Sequence, residues 1–99
     1  MVQAKENMRQ VSGVLSALGN PTRLRIVDLV GETKRPLHIK AVAQALKKDY
    51  ATVYRHVKVL QKSGLVGVYE VGRSRVIYLR NVELIKQCIQ TAQKMVQKQ

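Results

Sequence analysis

The chain has 99 residues, which is enough for one domain and too short for a second hydrophobic core. Hydrophobic residues make up 45% of the chain, which argues against intrinsic disorder, and with four Tyr and no Trp or Phe the core has to be largely aliphatic. Eighteen Lys and Arg against six acids give a net charge of +12, which favours a polyanionic partner.

The N-terminal two thirds of the chain predict four helices. Helical spacing of apolar residues, together with capping residues, places these helices over residues 5–18, 21–30, 38–46 and 50–62. Asn20 and Asp49 are expected to cap the second and fourth helices, and Gly31 is expected to stop the second. Residues 31–37 are expected to form a polar loop.

The hydrophobic period then changes. Residues 65–70 and 75–80 are rich in Val, Ile, Leu and Tyr and flank Gly72-Arg73-Ser74, which predicts a β-hairpin with a basic tip. A last helix follows over residues 82–97. The order α-α-α-α-β-β-α predicts a mainly helical winged helix-turn-helix that occupies residues 1–99 as a single domain.

The fourth helix has the pattern of a DNA recognition helix, with an apolar inner face and a polar, basic outer face. Residues near its N-terminus are expected to reach base edges: Tyr50, Ala51, Tyr54 and Arg55. Lys58, Lys62 and Thr52 are expected to contact phosphates. The alternative interpretation is an ordinary amphipathic surface helix.

The tip of the predicted hairpin concentrates positive charge. Arg73 and Arg75, with Ser74 between them, are expected to approach a minor groove, whose narrow walls focus negative potential. The alternative is a solvated turn in which Arg increases solubility. Lys47 and Lys48, in the turn before the recognition helix, are expected to contact phosphates.

Positive charge is concentrated in the region that contains these elements. Residues 34–80 carry eleven Lys or Arg and two acids, whereas the other fifty-two residues carry seven Lys or Arg and four acids. A basic segment that keeps a regular apolar pattern predicts a folded domain that binds double-stranded DNA. A merely solvated charged face would contain more interspersed acids.

Two motifs resemble the ArsR/SmtB family of winged-helix repressors. The run LGNPTRLRI at 18–26 is similar to the family's entry into its second helix, and TVYRHVKVLQKSGLV at 52–66 is similar to its recognition helix and the exit into the wing. The spacing of the two motifs and the Gly-Arg before the second strand also agree. The resemblance extends from about Leu15 to Tyr78.

The resemblance implies a transcriptional repressor that binds DNA as a homodimer built from the first and last helices. The apolar stripe of the last helix is also too long for one small domain to cover. The expected dimer interface contains Met8, Val11, Leu15, Ile85, Cys88, Ile89, Ala92, Met95 and Val96.

The metal sites of that family are not expected here. Its Cys-x-Cys site corresponds to His38-Ile39-Lys40, and residues 82–99 offer Glu83 as their one carboxylate and no His. His56 stands where the family often has His, and it is either structural or a phosphate contact. Cys88 is either a packing thiol or a redox thiol that pairs across a dimer.

No enzyme or cofactor signature is present in the sequence, which lacks a Gly-rich phosphate loop, paired carboxylates and a nucleophile with a base. The single cysteine fits a reducing compartment. With no signal peptide or membrane span expected, we place the protein in the cytoplasm at the nucleoid.

Two rival functions remain: an architectural DNA-binding protein with little sequence preference, and a winged-helix module that binds the transcription machinery.

Overall fold

The computed structural model describes residues 4–97, with side chains described from Asn7 onwards. Within this range the chain forms five helices and three strands, in the order α1 (Ala4–Leu18), α2 (Pro21–Thr33), β1 (Leu37–His38), α3 (Ile39–Leu46), α4 (Tyr50–Lys62), β2 (Val66–Val71), β3 (Ser74–Leu79) and α5 (Val82–Gln97). None of these helices is both long and apolar enough to cross a membrane. The predicted winged helix-turn-helix fold is confirmed, with α3 and α4 as the helix-turn-helix and β2–β3 as the wing.

Helix α2 begins as predicted and ends later than predicted. The Asn20 side chain accepts a hydrogen bond from the backbone N–H of Arg23 at 3.1 Å, but the helix runs through Gly31 to Thr33 and ends at Lys34, whose φ is 58°. Gly31 is buried, and a Cβ there would lie 3.2 Å from Cδ1 of Leu79. This glycine therefore serves close packing of α2 on the sheet rather than helix termination.

A third strand replaces the last residue of the expected polar loop and the first residue of the expected third helix, so that α3 begins at Ile39 instead of His38. Leu37 and His38 form β1, which pairs antiparallel with β3, with Leu37 opposite Ile77 and His38 opposite Val76. The sheet order is therefore β1-β3-β2. A strand of two residues is too short to show an alternating pattern, so its pairing depends on the neighbouring strand rather than on local sequence.

The core is aliphatic, and the inner face of the recognition helix α4 packs against it. Val53, Val57 and Leu60 of α4 are completely buried, as are Ile39 of α3 and Ile77 of β3. These residues belong to one continuous cluster. Since α4 is anchored along this face, its opposite face is held in a fixed orientation towards the solvent.

Candidate nucleic-acid interface

Helix α4 exposes the residues that the sequence assigned to DNA. Its described side chains separate into a buried stripe and an outer face, and the outer face carries Tyr50, Ala51, Arg55, Lys58 and Lys62. Thr52 and Tyr54 are half-buried at the flanks. One rigid element therefore presents two aromatic rings and three cations.

The N-terminus of α4 is capped by Asp49. Its carboxylate accepts the backbone N–H of Thr52 at 3.1 Å and the Thr52 hydroxyl at 2.7 Å. The bond from that hydroxyl, followed by the backbone bond, lowers the pKa of Asp49. Because a hydroxyl has one proton, Thr52 cannot donate to a phosphate while it donates to Asp49.

The turn between α3 and α4 is tight. Lys47 has a left-handed φ of 58°, its backbone N–H bonds to the Gln44 carbonyl at 3.2 Å, and the Lys48 N–H bonds to the Ala43 carbonyl at 3.0 Å. Both lysine side chains are exposed. The turn therefore adds two cations beside the N-terminus of α4.

The wing ends in a two-residue turn. Val71 pairs with Ser74, so Gly72 and Arg73 form the connection, and Gly72 has a φ of +61°. A positive φ at the first position is typical of a type II′ hairpin turn, where Gly is favoured. Arg73 and Ser74 are exposed at this tip.

Arg75 does not join the tip. Its Cζ lies 4.5 Å from the centroid of the Tyr54 ring, and its Nη1 donates to the Tyr50 hydroxyl at 3.4 Å. That bond is the main reason that the pKa of Arg75 is raised. The structure therefore brings Arg75 together with the recognition helix, whereas the Arg73 side chain is exposed at the tip.

Arg23 is a functional candidate that sequence reasoning missed. Its guanidinium donates to the carbonyls of Ala17 and Ser16 at the end of α1, and its Nη1 lies 3.1 Å from Nδ1 of His56 on α4. Arginine is only a donor, so Nδ1 accepts and the ring proton is on Nε2. The sequence signal was weak: an Arg three residues after the helix cap Asn20.

The environment of His56 opposes its protonation. Burial, followed by the charges of Arg23, Lys48 and Arg55, lowers the pKa of His56. A neutral ring is also what the Arg23 contact requires. Nδ1 is therefore committed to holding the fold, and only the Nε2–H group remains for a phosphate.

An apolar face lies on α1 and α5. Met8 and Leu15 on α1 are 64% and 54% exposed, and Met95 and Val96 on α5 are 67% and 68% exposed. Val11 and Ala92 are also exposed. A groove of about 540 Å³ lined by residues of α1, α2 and α5 contributes to this face, with Leu15, Leu24, Ile89 and Val96 among its lining residues.

Three residues of the expected dimer set, Ile85, Cys88 and Ile89, pack within their own subunit. Ile85 is only 3% exposed and belongs to the core, so it has almost no surface left for a partner. Its position on α5 gave the same periodic signal as its exposed neighbours. Cys88 and Ile89 are half-buried and pack against the core.

Among the described residues, no three His, Cys, Asp or Glu side chains are grouped as metal ligands. Cys88 and Glu83 belong to α5, and His38 lies on β1. The thiol, carboxylate and imidazole groups that a metal would need are therefore dispersed in this part of the chain.

Comparison with known proteins identifies the family. A family model described as "Helix-turn-helix domain" matches residues 18–69, more than half of the chain. An uncharacterized HTH-type transcriptional regulator of Methanocaldococcus jannaschii is 31% identical over 84 residues, which cover 82% of this chain and 93% of that protein.

Solved structures share the fold. A homodimeric winged helix-turn-helix DNA-binding domain from Mycobacterium bovis, a possible ArsR-family transcriptional regulator, aligns with a TM-score of 0.84 and 22% identity over 100% of this chain and 93% of that one. NolR from Sinorhizobium fredii aligns with a TM-score of 0.77 and 21% identity over 93% and 92% of the two chains.

Proposed function

The chain belongs to the helix-turn-helix domain family, as a DNA-binding transcriptional regulator of the ArsR-like winged type, and from this we propose that it represses transcription by binding a pseudopalindromic operator as a homodimer. The family is one of DNA-binding regulators, and we assign the chain no catalytic role or cofactor. Its site of action is then the nucleoid in the cytoplasm.

One observation carries this proposal: the recognition helix and the wing expose their cations on connected surfaces. Arg55, Lys58 and Lys62 lie on the outer face of α4, and Arg75 links that helix to the wing that carries Arg73. A basic helix anchored by its apolar face, next to a basic ribbon, fits a major groove and the adjacent backbone.

Within this surface we assign separate roles. Tyr50, Ala51 and Arg55 are exposed on the first two turns of α4 and would contact bases, with Arg55 suited to a bidentate contact with guanine. Tyr54 is half-buried under Arg75 and would offer a base only its free edge. The phosphate contacts would come from Lys47, Lys48, Lys58 and Lys62, whereas Thr52 is left out because its hydroxyl proton is used by Asp49.

The homodimer is supported by the apolar face of α1 and α5. Large apolar side chains that are more than half exposed and close together favour burial against another surface. The M. bovis domain with the same fold is homodimeric. A two-fold dimer would present two α4 helices to half-sites roughly 34–36 Å apart, which is one turn of DNA.

The experiment that tests the function is selection of bound duplexes from a random pool at physiological salt. The winning sequence is then titrated against random DNA. A pseudopalindromic winner that binds at least ~1,000-fold more tightly than random duplex supports a sequence-specific regulator. Reporter transcription from a promoter containing that site then gives the sign of regulation.

The two rival functions give different results in the same experiment. Tight binding without an enriched sequence would favour the architectural protein, which the net charge of +12 also suits. Absence of DNA binding would favour a module that docks on the transcription machinery, although such a surface would be expected to be apolar or acidic rather than basic.

A further inference from the structure

Arg75 stands at the point where the wing leaves the body of the domain. On β2 the first two residues, Val66 and Gly67, are buried, whereas the last three are exposed. On β3 burial begins at Val76 and Ile77. The hairpin beyond these residues therefore has little apolar contact to fix its direction, and a two-stranded ribbon by itself is only marginally ordered.

The Arg75 side chain reaches the recognition helix from this boundary. Its planar guanidinium lies over Tyr54 at 4.5 Å and donates to Tyr50 at 3.4 Å. The two rings stack on each other with centroids 6.0 Å apart. Making both contacts at once suits a guanidinium, whose plane lies over one ring while one of its N–H groups reaches the other, whereas an ammonium is a compact point charge.

Glu70, the cross-strand partner of Arg75, also lies close to this contact. The two residues are opposite each other in the β2–β3 register, and the carboxylate adds a favourable charge at the guanidinium. Arg75 thus has three neighbours within its own subunit: the Tyr54 ring, the Tyr50 hydroxyl and the Glu70 carboxylate. Arg73, which directly follows Gly72 in the turn, is exposed and can contact DNA.

We propose that Arg75 is a positioning residue, which sets the angle between the wing and α4 through Tyr54 and Tyr50 instead of entering the minor groove. The wing tip and the recognition helix are then held in a fixed relation before DNA arrives, which reduces the ordering cost of binding. Because the Tyr50 hydroxyl accepts from Arg75, its own proton is left to donate to an acceptor on DNA.

This inference rests on the proposed function, and its test begins with the selected operator. Binding is measured by fluorescence anisotropy over a series of salt concentrations, for the full chain and for Arg75→Lys, Arg75→Ala and Arg73→Ala. Arg75→Lys is the decisive variant, since it keeps the positive charge but replaces the planar guanidinium that stacks on Tyr54 and reaches Tyr50. Arg73→Ala is the matched control, because it removes a wing-tip cation that meets DNA directly.

For a positioning role we expect Arg75→Lys to weaken operator binding about as much as Arg75→Ala, by roughly tenfold, as for the loss of one preorganising contact per subunit. The slope of log K against log salt should stay unchanged in Arg75→Lys. In Arg73→Ala that slope should become shallower by about 1.8, because a dimer loses two cations that each neutralise about one DNA charge.

A second readout tests the route through Tyr54. In the Tyr54→Leu background, Arg75→Lys should cost little additional affinity, since the surface on which the guanidinium stacks is already gone. Without DNA, NMR should show the Tyr54 ring resonances shifted in Arg75→Lys and unchanged in Arg73→Ala.

Two results would overturn the inference and leave the function in place: wild-type affinity in Arg75→Lys, or a slope change in Arg75→Ala equal to that of Arg73→Ala. Full additivity with Tyr54→Leu would also contradict it. A wild-type protein that binds no duplex would overturn the proposed function together with this role.

Discussion

Arg23 on α2 donates a hydrogen bond to Nδ1 of His56 on α4 across 3.1 Å. The same guanidinium holds two carbonyls at the end of α1. Arg23, which belongs to α2, therefore links the recognition helix α4 to α1, one of the two helices that carry the apolar face.

Loss of Arg23 should destabilise the domain. Arg23→Ala removes hydrogen bonds from a charged, partly buried donor, so we expect the free energy of unfolding to fall by about 1–3 kcal/mol. Urea denaturation measures this change. Lys40→Ala, which removes an exposed cation from α3, is the control and should be close to neutral. If Arg23→Ala and Lys40→Ala changed the free energy of unfolding equally, the contacts of Arg23 with α1 and α4 would contribute no stability.

The stability should depend on pH through His56. Its pKa in the folded state is lowered below the ordinary 6.5, mainly by burial. The unfolded chain therefore binds more protons as the pH falls below 6.5, and the stabilisation present above that pH is progressively lost.

The measurement is the free energy of unfolding between pH 7.5 and 5.5 for the wild type and His56→Gln, which keeps an acceptor for Arg23. The loss of stability at low pH should be smaller in the variant. His38 is present in both proteins and does not contribute to the difference between them. Parallel pH curves would contradict the prediction.

Gly67 on β2 leaves room for the ring of Tyr78 on β3. A Cβ at Gly67 would lie 2.2 Å from Cζ of its cross-strand partner Tyr78. Because the ring is the end of an exposed side chain and can turn away, we expect Gly67→Ala to destabilise the domain by about 1 kcal/mol at most, the lower end of the range for overpacking. Thermal unfolding measures the effect.

The matched control is Gly13→Ala, where nothing lies within 4 Å of an added Cβ. It should leave the stability unchanged or increase it, because Ala favours a helix over Gly. Adding Tyr78→Ala to Gly67→Ala should remove the part of the loss that comes from the steric clash. If that cost persists undiminished in the double variant, the ring is not its cause.

Disruption of the apolar face should separate the subunits. Leu15 is 54% exposed and lines the groove between α1, α2 and α5. Leu15→Glu would bury a charge in the proposed interface, so we expect a monomer at micromolar concentration by light scattering, with weaker operator binding. Val71→Glu, on the wing and 51% exposed, should remain dimeric. A dimeric Leu15→Glu would place the interface elsewhere.

Arg55 and Lys62 should differ in what they contribute on the outer face of α4. Arg55→Ala should cost about 1–3 kcal/mol on the selected operator and relax the preference at one base pair. Lys62→Ala should weaken specific and random duplexes alike. Competition titrations with single-base operator variants compare the two. An Arg55→Ala protein with unchanged base preference would remove Arg55 from base readout.

The helices that carry the candidate interface could be predicted because their residues have a periodic signal. Helix α4 lies where its spacing and the Asp49 cap predicted, and α5 has its predicted bounds. Roles that depend on contacts between elements could not be predicted. Ile85 shares the apolar stripe of α5 with exposed residues, yet it is buried in its own subunit.

The sequence by itself determined the helices, the hairpin, the basic outer face and the resemblance to winged-helix regulators, since periodicity, caps and turns are local properties of the chain. The tertiary structure decided the partners of side chains that lie far apart in sequence. Arg75 lies on Tyr54, Arg23 bonds His56, and β1 pairs with β3. The physical reason is that these contacts follow from how the elements pack, and no spacing within one element carries that information.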